Sequence, residues 1–169
     1  EGINIYDGYQ LSTFNQPDSL FAYSFNVLQI YCDKAGSIWI ATNRGIYFKK
    51  ESENRFRQIP YEEEIFLDAI FFGETSAGSI MIAGKNSCLV WEEGKPMSKS
   101  GLFENVFRQY KSLVCFEQFK GDEWLIGFRS KLLLVNMKQQ KVLKELSPFN
   151  TWCTAKVNDS LILTGSFAH

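Results

Sequence analysis

The sequence has little of what most catalytic and metal sites need. Its only histidine is the last residue, His169. A His-dependent catalytic triad or a metal site within this chain is therefore not expected. The four cysteines are Cys32, Cys88, Cys115 and Cys153, and none forms a C-x-x-C pair. That spacing argues against a zinc site or a thioredoxin-like site, and we expect no cofactor.

An excess of one charge and long hydrophobic runs are also missing. The 18 basic and 19 acidic residues nearly cancel, so no basic surplus points to nucleic acid. No apolar run approaches the roughly 20 residues of a membrane-spanning helix, and no signal-peptide pattern is present. The chain opens on "EGINIYDGYQ", which resembles the inside of a folded element, so we expect a fragment of a longer protein.

What the sequence does contain is a short alternating pattern. Apolar residues make up 45% of the chain and aromatic residues 15%, which is enough for a sizeable core. Long helical periodicity is absent, and the best candidate for one or two helical turns is residues 100–110. Short alternating runs bounded by turn residues predict an all-β chain.

The hairpin "GSIWIATNRGIYFKK" at residues 36–50 is repeated along the chain. Its segment "WIAT" has counterparts in "MIAG", "WLIG" and "LILTG", which end at Thr42, Gly84, Gly127 and Gly165. These end points are 42, 43 and 38 residues apart. "RGIYFKK" also resembles "EGINIYD" at residues 1–7. The period is therefore near 43 residues, and the chain begins partway through a repeat.

Each repeat predicts four short strands. The best-marked unit predicts strands at 27–33, 38–42, 45–50 and 55–59. The next predicts 67–73, 79–84 and 88–93 with a poorly marked outer segment, the third predicts 112–119, 122–127, 131–137 and 141–146, and the last predicts 151–157 and 160–165.

Four-stranded units that recur at this period predict a β-propeller. A single four-stranded sheet leaves two apolar faces uncovered, and neighbouring sheets cover them. We predict one partial β-propeller over 1–169, with about four blades of four antiparallel strands. The predicted parts are two outer strands and a link over 1–26, blades over 27–65, 66–110 and 111–150, and the start of a further blade over 151–169. Either the remaining blades of a larger ring or a second copy of the chain, forming a homodimer, would cover the open ends.

Several residues have predicted structural roles in this fold. Trp39, Met81 and Trp124 are the candidate packing groups between blades. Cys115 and Cys153 align with Ile30, which predicts reduced, buried core residues on inner strands. Inner strands of neighbouring blades are expected to lie too far apart for a disulfide.

The acidic residues of this sequence are expected to have structural rather than catalytic roles. In "DKAG" at 33–36, Asp33 is expected to accept hydrogen bonds from nearby backbone amides in a turn. The run "EEE" at 62–64 is expected to be a solvated loop rather than a cation site. No carboxylate pair stands out as that of a glycosidase.

Residues 1–50 resemble the two-component regulator propeller repeat. The residues that match its pattern are Gly2, Tyr6, Asp7, Gly8, Phe14, Pro17, Asp18, Ser19, Leu20, Asn26, Val27, Ile30, Asp33, Gly36, Trp39, Ile40, Thr42, Gly45 and Ile46. Ala41 replaces the usual glycine, and over 66–169 only the skeleton of the repeat is kept.

The resemblance implies a function. Such propellers form the periplasmic sensor half of hybrid two-component histidine kinases of the inner membrane, many of which respond to oligosaccharides. It implies that this chain binds a ligand for signal transduction, is not itself an enzyme, and meets the membrane only through other parts of its parent protein. Two alternatives stay open, namely a fragment of a carbohydrate-active propeller enzyme and a scaffold propeller that binds proteins.

In blade geometry the loop entering the inner strand and the loop between the second and third strands lie on one face. Polar and aromatic residues there could bind a sugar, which needs planar hydrogen-bonding groups and an aromatic face. Arg44 and Arg129 are predicted to share one loop position. The alternative is that these are ordinary turn residues at solvated loop tips. The candidates are Tyr23, Asn26, Asn43, Arg44, Lys85, Asn86, Arg129 and Trp152, within a wider set that adds Gln16, Asp18, Ser130 and Asn150.

Overall fold

The computed structural model describes residues 3–14, 26–60, 70–84, 88–101, 106–107, 109–110, 112–147 and 151–166. The chain divides into two compact units, Glu1–Pro60 and Tyr61–His169. All strands that the structure describes lie in antiparallel sheets, which confirms the all-β prediction. The predicted "EEE" loop at 62–64 lies outside the described residues.

The first unit contains a hairpin and one four-stranded sheet. The sheet has its strands in the order β3-β4-β5-β6, so each strand pairs with its neighbour in sequence. The hairpin packs on this sheet, where the ring of Phe14 meets that of Phe56 edge-on at 5.4 Å. The strands are β1 (Asn4–Tyr6), β2 (Leu11–Thr13), β3 (Val27–Cys32), β4 (Ile38–Thr42), β5 (Gly45–Lys49) and β6 (Arg57–Gln58).

Asp33 shapes the turn between β3 and β4. Its Oδ1 accepts hydrogen bonds from the backbone amides of Ala35 at 3.0 Å and Ser37 at 2.8 Å. Its Oδ2 accepts from the Trp39 indole Nε1 at 2.9 Å. The Trp39 ring is buried and stacks on Phe48 at 5.0 Å. The predicted structural role of Asp33 is confirmed, and the carboxylate also satisfies a buried indole donor.

The second unit contains two four-stranded sheets and a two-stranded one. The orders β10-β9-β8-β7 and β11-β12-β13-β14 again pair each strand with its sequence neighbour. The strands are β7 (Phe71–Glu74), β8 (Ile80–Ala83), β9 (Cys88–Trp91), β10 (Ser98–Lys99), β11 (Leu113–Lys120), β12 (Glu123–Phe128), β13 (Lys131–Asn136), β14 (Lys141–Ser147), β15 (Thr151–Asn158) and β16 (Leu161–Ser166).

The two four-stranded sheets of the second unit pack face to face. Their shared core joins residues of β8 and β9 to residues of β11, β12 and β13. Val106 and Phe107 add to it from a helical turn, in which the Tyr110 amide donates to the Val106 carbonyl at 3.0 Å. The described part of the predicted helical segment, 100–110, is thus helical where it meets the core. The core residues are Met81, Ala83, Cys88, Val106, Phe107, Leu113, Phe116, Trp124, Ile126, Phe128, Leu133 and Val135.

Trp124 is the largest side chain in that core, and it needs a glycine opposite it. Its side chain is 0% exposed, and its ring lies 4.7 Å from the ring of Phe116. A Cβ at Gly73 would lie 2.3 Å from Cζ3 of the indole. The six-membered end of the indole therefore occupies the place where any other residue at 73 would have its side chain.

The register of Trp124 differs from the predicted one. Ala41, Ala83 and Gly127 occupy equivalent positions, because each pairs with the residue twelve places earlier on the first strand of its sheet. The residues two places before these three are Trp39, Met81 and Leu125. Leu125 is therefore the equivalent of Trp39 and Met81. Trp124 lies on the opposite face of its sheet, where it packs in one cluster with Met81. Both residues do pack between sheets, as predicted, but from facing surfaces.

The first strands of three sheets carry an irregularity at one position. The ladders shift between Val27 and Gln29, between Leu113 and Cys115, and between Thr151 and Cys153. A β-bulge of this kind bends the strand and increases its twist. Gln29, rather than the predicted Ile30, is the equivalent of Cys115 and Cys153.

Cys115 is buried and Cys153 is exposed, so the prediction for Cys153 is wrong. Cys115 packs with Leu125 and Leu132 against Ile162 of β16, which covers that face of the sheet. Cys153 lies on the outer face of β15 and β16, which nothing in the described part of the chain covers. Val157, Leu161 and Leu163 are also 47–59% exposed there. The four cysteines carry free thiols, and a reduced state was predicted for two of them, Cys115 and Cys153.

Replacement of Gly73 by alanine tests the packing of Trp124. The added methyl group would overlap the rigid, enclosed indole, so we expect Gly73→Ala to lower the free energy of unfolding by about 2–3 kcal/mol. Gly101→Ala is the matched control, because its Cβ would meet only Gln140 Oε1 at 3.6 Å. Urea unfolding measures both variants. Equal stabilities of the two variants would contradict the packing described here.

Cys115 and Gly127 form a second close pair. A Cβ at Gly127 would lie 2.3 Å from the Cys115 sulfur. We expect Gly127→Ala to cost about 1–2 kcal/mol of stability in the native background and much less beside Cys115→Ala, where the sulfur is gone. Urea unfolding of the two single variants and the double variant measures this coupling, and strictly additive effects would argue against it.

Candidate functional site

Within a four-stranded sheet, the residue before the first strand lies beside the turn between the second and third strands. The Asn43 amide donates to the Asn26 carbonyl at 3.1 Å, and the Arg129 amide donates to the Ser112 carbonyl at 3.2 Å. We call this end of a sheet its loop edge, defined by Asn26, Asn43 and Arg44 in the first unit and by Ser112 and Arg129 in the second. The two loops share one edge in each of these sheets, as the sequence predicts.

The loop edge of the first unit is held by a compact set of hydrogen bonds. The Asn43 side-chain Oδ1 accepts from the Asn26 amide at 3.0 Å. The buried Thr42 hydroxyl accepts from the Arg44 amide at 3.0 Å and donates to the Gly45 carbonyl at 3.0 Å. The turn therefore holds the exposed Arg44 side chain on a well-defined backbone.

Tyr47 places an aromatic hydroxyl near the Arg44 charge. Burial raises the pKa of the Tyr47 hydroxyl, and the positive charge of Arg44 opposes that shift. The hydroxyl therefore stays protonated at neutral pH and can donate a hydrogen bond. Gln58 adds to the same edge, since its Nε2 donates to the Arg44 carbonyl at 3.4 Å. A cation, a phenol and amides thus lie together at this loop edge.

The loop edge of the second unit combines cations with an aromatic ring. Ser112 has a left-handed backbone, with a φ of 64°. Lys131, which follows the Arg129 turn, pairs with Glu145 at 2.7 Å and lies 5.5 Å from the centre of the Tyr110 ring. The hydrogen bond to Glu145 raises the pKa of Lys131, so its ammonium stays charged. Such groups can bind hydroxyl and carboxylate oxygens of a ligand.

Arg44 and Arg129 do not share one loop position. Thr42 pairs with Gly45 across the first turn, and Phe128 pairs with Lys131 across the second. Arg129 is therefore the first residue of its turn and is the equivalent of Asn43. The sequence comparison was one residue out, because it aligned Thr42 with Gly127 instead of Ala41 with Gly127.

Two of the remaining candidates lie among the described residues. Ser130 is an exposed turn residue, and the backbone of Trp152 lies in β15. Outside the described residues are Gln16, Asp18, Tyr23, Lys85, Asn86 and Asn150.

The sequence analysis missed Tyr110 and Ser112 of the second loop edge. Asn26 was selected because it precedes the first strand of its sheet, and Ser112 precedes β11 in the same way. The predicted strand of the third repeat began at Ser112, one residue before β11, so the same rule applied there would have selected Lys111 and missed Ser112.

The described residues give little support for a metal site or for a reactive thiol at these edges. The described residues hold no group of three or more His, Cys, Asp or Glu side chains that could bind a metal ion. Burial raises the pKa of the Cys88 thiol well above its ordinary value and also raises that of Cys115. Both thiols are therefore protonated and poorly nucleophilic at neutral pH. No helix in the described ranges is both long and apolar enough to cross a membrane.

The fold is similar to that of solved extracellular domains. One structure of the extracellular domain of BT4673 from B. thetaiotaomicron, provisionally assigned to a one-component system, has a TM-score of 0.59 at 16% identity. A second structure of that domain, provisionally assigned to a hybrid two-component system, has a TM-score of 0.59 at 18% identity. No protein-family model and no curated protein matches the sequence.

The similarity covers most of this chain but little of each solved chain. It spans 87% and 83% of the residues here but only 20% and 19% of the solved chains. The chain thus corresponds to about a fifth of the domains that it resembles. At this identity the similarity establishes a shared fold.

Asn43→Ala tests whether this residue fixes the loop edge. Loss of the acceptor for the Asn26 amide is expected to cost about 1 kcal/mol of stability. Asn43→Asp keeps an oxygen at that place and is expected to retain most of the stability. Thermal unfolding compares the two variants. If both lose the same amount, the hydrogen bond to Asn26 is not what Asn43 contributes.

Proposed function

We propose that this chain is part of an extracytoplasmic sensor propeller and binds a ligand without transforming it. The single observation that carries the proposal is the shared fold with extracellular domains provisionally assigned to one-component and hybrid two-component systems, over 87% of this chain. The four-stranded sheets, each paired in sequence order, are those expected of propeller blades. The parent would be an inner-membrane hybrid histidine kinase with this region in the periplasm.

The proposed ligand is an oligosaccharide bound at the loop edges. Arg44, Asn43 and Tyr47 supply donors and acceptors on one sheet, and Arg129, Lys131 and Tyr110 supply them on another. Sugars are bound by such planar hydrogen-bonding groups together with aromatic faces. The repeated position of these residues at the same edge of two sheets supports a binding role over that of isolated turn residues. Tyr23, Lys85, Asn86 and Trp152 remain proposed members of this set.

A binding experiment tests the oligosaccharide proposal. Calorimetry of the full chain against a panel of plant and host oligosaccharides is expected to show saturable heat for at least one. Arg44→Ala should weaken binding at the loop edge of the first unit about tenfold, and Arg129→Ala should do so at the loop edge of the second, because each removes charge-assisted hydrogen bonds. Lys34→Ala is the control, since it removes an equal charge at the opposite end of the first sheet.

The outcomes separate the three functional hypotheses. Binding that is unchanged in both arginine variants, or no binding at all, overturns the proposed site. Shortening of the bound oligosaccharide during incubation, followed by chromatography, would instead indicate a carbohydrate-active enzyme. Concentration-dependent assembly without sugar binding would indicate a scaffold.

A further inference from the structure

Two of the five sheets in the described part of the chain have two strands, whereas the other three have four. We call these two, β1–β2 and β15–β16, the half sheets. In the second of them Gly165 lies opposite Cys153, as Gly127 lies opposite Cys115 in the complete sheet before it. β15 and β16 are therefore the equivalents of the first and second strands of a complete sheet.

The hairpin β1–β2 corresponds to the third and fourth strands of a complete sheet. The Phe14 amide donates to the Ile3 carbonyl at 2.8 Å just after β2, and the Ile59 amide donates to the Ile46 carbonyl at 2.9 Å just after β6. Ile3 is therefore the equivalent of Ile46, as the similarity of residues 1–7 to residues 44–50 predicts. Each half sheet thus has the two strands that the other lacks.

One apolar position shows that the sheet begun by β15 and β16 lacks a cover. In the complete sheets this position is taken by Trp39, Met81 and Leu125, which are 1%, 2% and 0% exposed. Leu163 takes the same position in β16, two residues before Gly165, and is 59% exposed. A position that is buried in three repeats and open in the fourth indicates an unfinished core rather than a solvated surface.

The equivalence of the repeats also predicts which residue would lie beside Leu163. In the first sheet Trp39 pairs with Phe48, and their rings stack at 5.0 Å. The equivalent of Phe48 in the hairpin is Ile5, which is 47% exposed. A sheet with the strand order β15-β16-β1-β2 would therefore bring two exposed apolar side chains, Leu163 and Ile5, together as a cross-strand pair.

The first strand of the sheet in the first unit has an open face as well. Ile40 of β4 is 0% exposed, and it lies in one cluster with Phe14 of the hairpin. Ile30 of β3, which pairs with Ile40, is 53% exposed. Phe116, the equivalent of Ile30 in the second unit, is 6% exposed in the core between two complete sheets. The hairpin thus leaves β3 open where the first two strands of a complete sheet would pack.

A single copy of the chain leaves these edges and faces open. Among the described residues, β16 pairs only with β15, and β1 pairs only with β2. The exposed large apolar side chains in the described ranges all lie on the half sheets, in the β1–β2 turn, or on β3 and β14. An open apolar strand edge is a template for pairing with another chain. A second copy of this chain carries the strands that have the matching register.

We propose that a second copy of this chain completes both half sheets. β1 of one copy pairs antiparallel with β16 of the other, as β5 pairs with β4, and Ile5 lies opposite Leu163. The twofold-related exchange completes the remaining two half sheets, so that none is left open. Two copies then hold six complete and two composite sheets, and eight blades is a number that propellers reach. This dimer does not depend on the proposed oligosaccharide binding.

Disulfide cross-linking tests the proposed register. Ile5→Cys and Leu163→Cys are placed in separate, co-expressed copies of the full chain and oxidised. Both copies carry Cys32→Ser and Cys153→Ser, which remove the exposed native thiols. We expect a cross-linked dimer, with about tenfold more product than when Leu161→Cys replaces Leu163→Cys. The reason is that opposite residues of paired strands are close enough for a disulfide, whereas diagonal ones are about 7–8 Å apart.

Sedimentation over a range of concentrations measures the assembly itself. We expect the native chain to reach twice the 19.5 kDa of one copy. Leu163→Asp should raise the dissociation constant of the dimer at least about tenfold, because it would bury a carboxylate in the composite sheet. Tyr9→Asp is the control, since Tyr9 is 96% exposed in the β1–β2 turn rather than on a strand, and its dissociation constant should stay near the native one.

The same experiments can overturn the proposal. A monomer at every concentration, or equal cross-linking of the opposite and the diagonal pair, would contradict the exchange of strands between copies. A chain that carries both Ile5→Cys and Leu163→Cys separates the remaining case. A cross-link that forms within that one chain, rather than between two copies, would show that a single chain completes its own half sheets.

Discussion

Burial of one sheet face against another is the constraint on which the second unit depends. Four short strands cannot enclose a core alone, because each face of the sheet would remain in water. Trp124 and Gly73 show how the chain solves this, since the indole of one sheet occupies the space left by the missing side chain on the other. Trp124 has no exposed surface, and full burial of such a side chain contributes on the order of 2–3 kcal/mol. The first unit applies the same principle on a smaller scale, where Phe14 of a hairpin meets Phe56 of its sheet.

The repeats agree in backbone register more closely than in sequence. The residues Ala41, Gly127 and Gly165 lie opposite Gln29, Cys115 and Cys153, and each first strand is bulged just before that pair. A small residue is needed opposite the bulge, because a Cβ at Gly127 or Gly165 would overlap a cysteine sulfur. In two of these sheets the bulge begins one residue after the residue that bonds to the turn between the second and third strands. Asn26 and Asn43 can then bond to each other, as can Ser112 and Arg129, which forms the loop edges proposed to bind a ligand.

The loop edges and the contact between the two four-stranded sheets of the second unit are built in different ways. The loop edges are assembled from turn residues that follow directly from the repeat, and their backbones are fixed by local hydrogen bonds such as that from Arg44 to Thr42. The contact between the sheets requires both of them at once, because Ser76 and Asp122 belong to different sheets and the Ser76 hydroxyl donates to Asp122 Oδ1 at 2.6 Å.

The sequence by itself determined the local structure. Alternation and turn glycines placed β4 at its observed bounds and β5 within one residue of them, and the short range of an Asp side chain made the role of Asp33 predictable. Sequence spacing could not determine which face each residue occupies, because a shift of one residue exchanges the two faces of a strand. For that reason Trp124 was paired with the wrong equivalents and Arg129 was aligned with Arg44. Cys153 is exposed for a different reason, because it takes the same position as the buried Cys115 but no described residue covers that face of its sheet. The contact of Trp124 with Gly73 was also decided by tertiary structure alone, because it arises only where two sheets that are separate in sequence bury the same indole.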